Sequence, residues 1–321
     1  MLSRVANATY WLTCYIERAE NYARFMDVNL SLTMDLPPGI EEQWRPLVII
    51  TGDKNLFESL YGREYTRENV VRFLTFDRNN PNSIISCLAS ARENARSVRE
   101  IISSELWRQV NELYLSVQDA TELYGPKLDD FYRHIKQGSH LFEGIMEVTM
   151  PHNEAWHFAH IGRLIERADK TDRIIDMKYF YLLPKVEDVG TPIDILQWSA
   201  VLKSASAYEA YRKVYGKLDC RYIVEFLLFN RLFPRAIHFC LQTADRSLHA
   251  ISNTQVSTFN NPAEKEMGKI ISELCFNDVK DVLEYGLHEY LDDFQAKLNN
   301  LGEAISKTFF STNDLKVNIL S

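Results

Sequence analysis

Apolar residues recur at three- and four-residue spacing along almost the whole chain, the interval that lines one face of an α-helix. The segment from Tyr10 to Asp27 shows it best. On a wheel of about 100° per residue, Leu12, Tyr15, Ala19, Tyr22, Ala23 and Met26 share one face, and Glu17, Glu20, Asn21 and Arg24 share the opposite one. Arg18 stands between them, beside Trp11 and Phe25, at the edge of the apolar stripe. No segment carries a clear two-residue alternation or an Asn-Gly hairpin turn. The pattern predicts an all-α protein.

Glycine and proline are scarce, 12 and 10 in 321 residues, and the prolines sit at helix boundaries. A first helix is expected over 3–34, stopping before Pro37-Pro38-Gly39, with shorter ones over 41–51, 54–61 and 66–75. Asn80-Pro81 reads as an N-cap followed by proline at the first helical position, where the missing N–H costs nothing, and opens a long helix reaching Glu112. Gly125-Pro126 breaks the chain before a helix to Met150, and Pro151 and Asn153 open another that runs toward Leu183-Pro184. Thr191-Pro192 begins a helix that stops at Tyr215-Gly216, and Phe233-Pro234 begins the next. Two further helices are expected between Asn261 and Phe310, then a polar tail.

The helical pattern repeats. Ile16-Glu17-Arg18-Ala19-Glu20, followed by Arg24 and Asp27, returns 149 positions later as Ile165-Glu166-Arg167-Ala168-Asp169, followed by Arg173 and Asp176. Trp44 and Tyr61-Gly62 return at an offset of 154 as Trp198 and Tyr215-Gly216. Val70, Val71, Phe73, Leu74, Phe76, Arg78 and Pro81 match Ile223, Val224, Phe226, Leu227, Phe229, Arg231 and Pro234 at 153. An ordered series with so small a drift predicts an internal duplication of two units, not a solenoid with its period of about 20–50 residues. The expected fold is one compact helical bundle over 1–321, built from two fused, diverged, pseudo-symmetric units at 1–150 and 151–310 with a tail at 311–321. The boundary near Pro151 has no flexible linker, so the halves are expected to share one core.

Composition excludes several classes. Hydrophobic residues are 46% and charged residues 25%, as in soluble globular proteins. A net charge of -8 argues against nonspecific nucleic-acid binding, which needs a basic surface. No stretch approaches the ~20 apolar residues of a membrane span, and the N-terminus lacks the zones of a signal peptide. Five cysteines without metal-type spacing are expected to be reduced thiols, which together with these features predicts a cytoplasmic protein.

The repeated charged motif admits three readings. Glu20–Arg24, Glu166–Lys170 and Asp169–Arg173 are i,i+4 pairs in the favourable order, each worth about 0.2–0.5 kcal/mol on an exposed helix, so a solvated face needs no function. Arg18 and Arg167, however, flank apolar stripes, where an unpaired guanidinium is costly. A pseudo-dyad would pair Arg18 with Glu166 and Arg167 with Glu17 in a structural network. Alternatively the arginines hold a ligand carboxylate in a bidentate fork.

Other chemistry is thinner. Glu154-x-x-His157, with His160 one turn on, has the spacing of a di-iron helix, but a second Glu-x-x-His is missing, so no metal is expected. Cys14 lies beside Arg18, which would favour its thiolate, but no histidine is near in sequence. Arg92, Arg96 and Arg99 form a row that reads as a solvated or partner-facing ridge. There is no Gly-x-x-x-x-Gly-Lys phosphate loop and no Gly-x-Ser-x-Gly elbow, so neither a nucleotide nor another cofactor is expected.

The stretch Tyr10-Trp11-Leu12-x-x-Tyr15-Ile16-Glu17-Arg18-Ala19-Glu20-Asn21-x-Ala23-Arg24 resembles the N-terminus of the Alpha-E family, bacterial helical proteins named for a Glu-Arg motif. Ile161-Gly162-Arg163-x-Ile165-Glu166-Arg167-Ala168-Asp169 resembles that family's internal motif, and Asn80-Pro81-Asn82-Ser83-Ile84 and Phe233-Pro234-Arg235 are similar to it too. The resemblance spans nearly the whole chain. It implies genomic association with ATP-grasp ligases, transglutaminase-like peptidases and proteasome-like hydrolases, and hence a part in making, modifying or processing a peptide. It supplies no catalytic set. The leading expectation is a non-catalytic or accessory component of a peptide-ligation system, binding a peptide or partner protein through a Glu/Arg-lined groove between the halves. One alternative is an enzyme on peptides or amides, with Glu17 or Glu166 as acid/base and Arg18 or Arg167 as carboxylate clamp. The other is a pure scaffold.

Overall fold

Two long helices cross at the centre of the molecule: α1 (Ser3–Asp35) and α8 (Glu154–Asp176). The computed structural model describes residues 1–35, 44–118, 120, 127–178 and 190–311. Gly162 sets the closeness of the crossing. A Cβ at that position would collide with the Tyr10 carbonyl oxygen and stand 2.9 Å from Thr13 Oγ1. Thr13 Oγ1 uses the proximity to donate to the Ala159 carbonyl at 2.6 Å.

The other elements dress this pair. On the N-terminal side, α2 (Arg45–Ile50), α3 (Lys54–Tyr61) and α4 (Arg67–Val71), which continues into a π turn over Arg72–Phe76, lead to α5 (Ile84–Ser97), α6 (Ser104–Gln118) and α7 (Lys127–Thr149). After α8 come α9 (Pro192–Ser204), α10 (Tyr208–Tyr215), α11 (Cys220–Phe229) and α12 (Ile237–Ser252). Then α13 (Pro262–Phe276), α14 (Val279–Tyr285) and α15 (Leu287–Ile305) close the chain, with a second π turn over Ser306–Phe310. Helix α1 packs on α5, α7 and α9, and α8 packs on α12 and α15. The all-α expectation holds, with no strand among the described residues. The breaks expected at Pro37-Pro38-Gly39, Gly125-Pro126 and Leu183-Pro184, residues 41–43 of an expected helix, and the tail beyond Ser311 lie outside those residues.

Several boundaries differ from expectation. The single helix from Pro81 to Glu112 is two. Asn80 does not cap it: its side chain bonds the Phe73 carbonyl and the Asn82 amide. Ser83 is the cap, accepting from Ser86 N. Ser103 Oγ accepts from Leu106 N and restarts the helix as α6. The break folds α6 back on α5 and sets the guanidinium groups of Arg92 and Arg99 5.7 and 5.0 Å from the Trp107 ring, while Arg96 and Arg99 stay exposed as expected of that ridge. The helix expected over 192–215 likewise breaks at Ala205–Ala207, where Ser206 has a φ of 51°. An unexpected α11 starts at the Asp219 cap, and α12 begins after Ala236. The last stretch forms three helices because Gly286, at φ 108°, separates α14 from α15.

Tyr61 and Phe73, matched in sequence with Tyr215 and Phe226, sit in like ring contacts. Phe57, Tyr61 and Phe73 form one ring cluster, with Phe57 and Tyr61 stacked at 5.2 Å and Phe73 edge-on at 5.1 and 6.0 Å. Tyr211, Tyr215 and Phe226 form another, stacked at 5.0 Å with the phenyl edge-on at 5.8 and 6.3 Å.

Candidate functional site

The two motifs meet at the α1–α8 crossing and exchange partners. Arg18 donates from Nε and Nη2 to Glu166 Oε1 and Oε2 at 2.7 and 2.9 Å. Arg167 donates from Nε and Nη2 to Glu17 Oε1 and Oε2 at 2.9 and 2.8 Å. Both forks are bidentate, the strong geometry for a guanidinium and a carboxylate. The solvated-face reading does not hold. Glu17 is 3% exposed and Glu20 is fully buried, with Arg24, Arg163, Glu166 and Arg167 also buried. A wheel assigns one buried face to a helix, but α1 has neighbours on all sides, so its polar face is covered as well.

The Glu17 half is closed. Arg235, just before α12, donates to Glu17 Oε1 and Asn21 Oδ1 at 3.2 Å each and to Glu20 Oε2 at 2.8 Å. Arg24 pairs with Glu20 and with the Ser206 hydroxyl. Glu143 of α7 accepts from Arg167 at 3.1 Å and pairs with Arg163. Burial works against the charge on Glu17, but Arg167 and Arg235 outweigh it and hold the carboxyl below its ordinary range. Glu20 is held well below in the same way, by Arg235 and Arg24.

The Glu166 half is open. Lys170 reaches Glu166 at 3.1 Å and Asp169 at 2.6 Å. Arg173 donates from Nε to both Asp169 oxygens at 3.0 and 2.8 Å and from Nη1 to the Ile50 carbonyl at 3.2 Å. Against burial, Arg18 and Lys170 lower the Glu166 pKa, and Lys170 and Arg173 lower that of Asp169. These groups floor a cavity of about 490 Å³ whose walls include Tyr10, Trp11, Tyr22 and Phe310. Asn82 explains the opening. It stands 153 positions before Arg235, yet its short amide only accepts from Arg18 Nη1 at 2.6 Å and donates to Asp53 at 2.9 Å. A long guanidinium fills the corresponding place on the other side.

The remaining candidates are dispersed or sealed. Cys14 donates to the Gly162 carbonyl at 3.2 Å, and burial, aided by Glu166, pushes its thiol well up despite Arg18. Glu154 pairs with the Met1 amino group. His160 stacks on Trp156 at 4.4 Å, bonds Ser247 at 2.9 Å, and is pushed down to about 3 by burial and Arg163. Burial also lowers His157. Among the described residues no group of three or more His, Cys, Asp or Glu side chains is placed to hold a metal. Sequence reasoning missed Arg235, Asn82 and Glu143 as parts of the network. The repeat itself carried the signal for the first two, since it sets Asn82 against Arg235. It missed Asp172 as well, a fully buried carboxyl whose pKa burial and Asp169 raise well above the ordinary value.

The site and fold together define a class: an all-α protein whose central helices exchange buried Glu–Arg pairs. The chain belongs to the Alpha-E family, whose model, described as a predicted alpha-helical domain with a conserved ER motif, matches residues 1–310. It is similar to uncharacterised proteins of Mycobacterium bovis and of the CDC 1551 and H37Rv strains of Mycobacterium tuberculosis. Each is 21% identical over 332 residues, covering 95% of this chain and 36% of the relative. The chain thus spans about a third of the length of these relatives. No solved structure matches it. No described helix is long and apolar enough to cross a membrane.

Proposed function

We propose that this protein is a non-catalytic, cytoplasmic component of a bacterial peptide-ligation or peptide-modification system, and that the open half of the α1–α8 crossing holds the peptide. The carrying observation is the cavity of about 490 Å³ floored by Arg18, Glu166, Asp169, Lys170 and Arg173 beneath an aromatic wall. Arg18, Lys170 and Arg173 stand there among Glu166, Asp169 and Glu303, and Glu303 is paired with Lys307 at 2.9 Å, so an acidic side chain or a C-terminal carboxylate would find its partners at Lys170 and Arg173. The aromatic rings offer apolar area to the rest of the peptide. ATP-grasp-type ligases and transglutaminase-like proteins are the partners that the family resemblance implies, and they would supply the bond-forming chemistry.

The lowered carboxyl pKa values favour binding over proton transfer, since a general acid or base works best with a pKa near the operating pH. The closed half fits the scaffold reading instead, and the matched ring clusters support two fused, diverged copies. Each copy would keep the motif for folding, and one would have been opened for a ligand.

Trp11 lines the cavity and serves as a fluorescent reporter of peptide binding. Lys170→Gln and Arg173→Gln should each weaken binding of an acidic peptide by about ten- to a hundredfold, the loss of one charge-assisted hydrogen bond, measured well below each variant's own unfolding midpoint. Binding that is indifferent to both changes would exclude this cavity as the site.

A further inference from the structure

A second cluster of reactive side chains gathers where α12 and α13 meet the loop after α11. Cys275, in the last turn of α13, is exposed. Its sulfur lies 3.8 Å from His238 Nε2, and Arg231 Nη2 donates to it at 3.7 Å. His238, in the first turn of α12, is 1% exposed, and its Nδ1 has no hydrogen-bond partner among the described residues. Imidazole and thiol line one cavity of about 360 Å³. A larger one of about 760 Å³, against α12 and the loop before α13, reaches the same cysteine. The thiol therefore sits on a ridge between two spaces able to take a small molecule.

The surroundings suit thiol exchange, in which the thiolate is the nucleophile. The carbonyl end of α13 opposes negative charge at Cys275, and the Arg231 guanidinium offsets it. Burial and Arg231 hold the His238 imidazole below its ordinary range, so the ring is neutral at neutral pH, and its Nε2, 3.8 Å from the sulfur, can take the thiol proton only transiently, as the sulfur attacks. The smaller cavity carries Arg221, Arg231 and Lys280 against Glu225 and Asp278, one cation in excess.

We propose that Cys275 is a thiol–disulfide exchange site for small anionic disulfides, with His238 as its proton acceptor. The Cys275 proton passes to Nε2, the sulfur attacks one sulfur of the disulfide, and a new S–S bond forms as the old one breaks. The departing thiolate takes the proton back from the imidazolium and leaves as a thiol. No other oxidant is consumed.

Cys220 is the internal reference: it too is exposed, but burial and the adjacent Asp219 push its thiol up. Incubation of the folded protein with oxidised glutathione, followed by mass-spectrometric mapping, should show Cys275 modified about tenfold faster than Cys220. Cystamine, a cationic disulfide, should narrow that ratio. His238→Gln and Arg231→Gln should each slow Cys275 severalfold and leave the Cys220 rate unchanged, which also reports that the variants are folded. Equal rates at the two cysteines, a preference for cystamine, or full reactivity without His238 would overturn the assignment.

Discussion

The burial of charge away from solvent is what single residues contribute to this protein, and most of it is compensated. Asp172, fully buried, is the clearest exception. It faces α15 from the middle of α8, where no cation among the described residues pairs with it directly and the Gln295 amide offsets the burial only in part. Its folded pKa is raised, so the folded state favours the protonated form. That contribution to stability is fully present below the ordinary Asp value of about 3.9 and is lost as pH rises through the folded value. Asp172→Asn removes the penalty. The variant should therefore exceed the parent in thermal midpoint at pH 8, by an advantage that shrinks steadily toward pH 4; an advantage independent of pH would contradict this account. Glu17, Glu20, Glu166 and Asp169 have the opposite sign. Their stabilisation is present above the ordinary carboxylate range and lost below it. Nothing in the sequence marked Asp172, because the three- and four-residue spacing of Asp169, Asp172 and Asp176 reads as a polar face until α15 is laid over it.

At the scale of elements, the α1–α8 crossing depends on one missing methyl group. Gly162→Ala should force the helices apart and cost about 1–3 kcal/mol in urea unfolding, the usual range for overpacking. Gly144→Ala is the control: it lies within α7 with open space around it, and should gain about 0.5–1 kcal/mol from helix propensity alone. Equal effects would mean the crossing can yield. Elements were legible wherever local chemistry sets the boundary, as at the Thr191 and Asn153 caps. They were not legible at residues 98–103, which hold neither Gly nor Pro. The packing of α6 on α5 breaks the helix there, and that is a tertiary fact. Gly286 is the reverse case, a visible glycine whose effect depends on its left-handed φ.

Across the whole molecule the two halves of the charge network are unequal, and single substitutions should expose the inequality. Arg167→Met takes the bidentate partner from Glu17 inside a closed core, leaving it Arg235 at 3.2 Å and the Asn21 amide at 3.0 Å, and should lower stability by about 3–5 kcal/mol, as when one partner of a buried pair is removed. Arg18→Met leaves Glu166 with Lys170 and an opening to solvent, and should cost less than half as much in the same urea titration. Losses of the same size would mean that the cavity gives Glu166 no relief. The repeat made the reciprocal pairing readable in advance, because matched motifs on matched helices have few other ways to satisfy four charges. It did not reveal the asymmetry, which arises from the contrast between Asn82 and Arg235 at otherwise corresponding positions. The crossing also has a consequence in the order of synthesis. Arg18 and Glu166 are 148 positions apart, so at about 5–20 residues per second α1 waits about 7–30 s for its partner helix. Throughout that wait the glutamates and arginines that end up buried are the groups that keep the newborn helix wetted, and the same side chains that later lock the bundle first protect it from sticking to its neighbours.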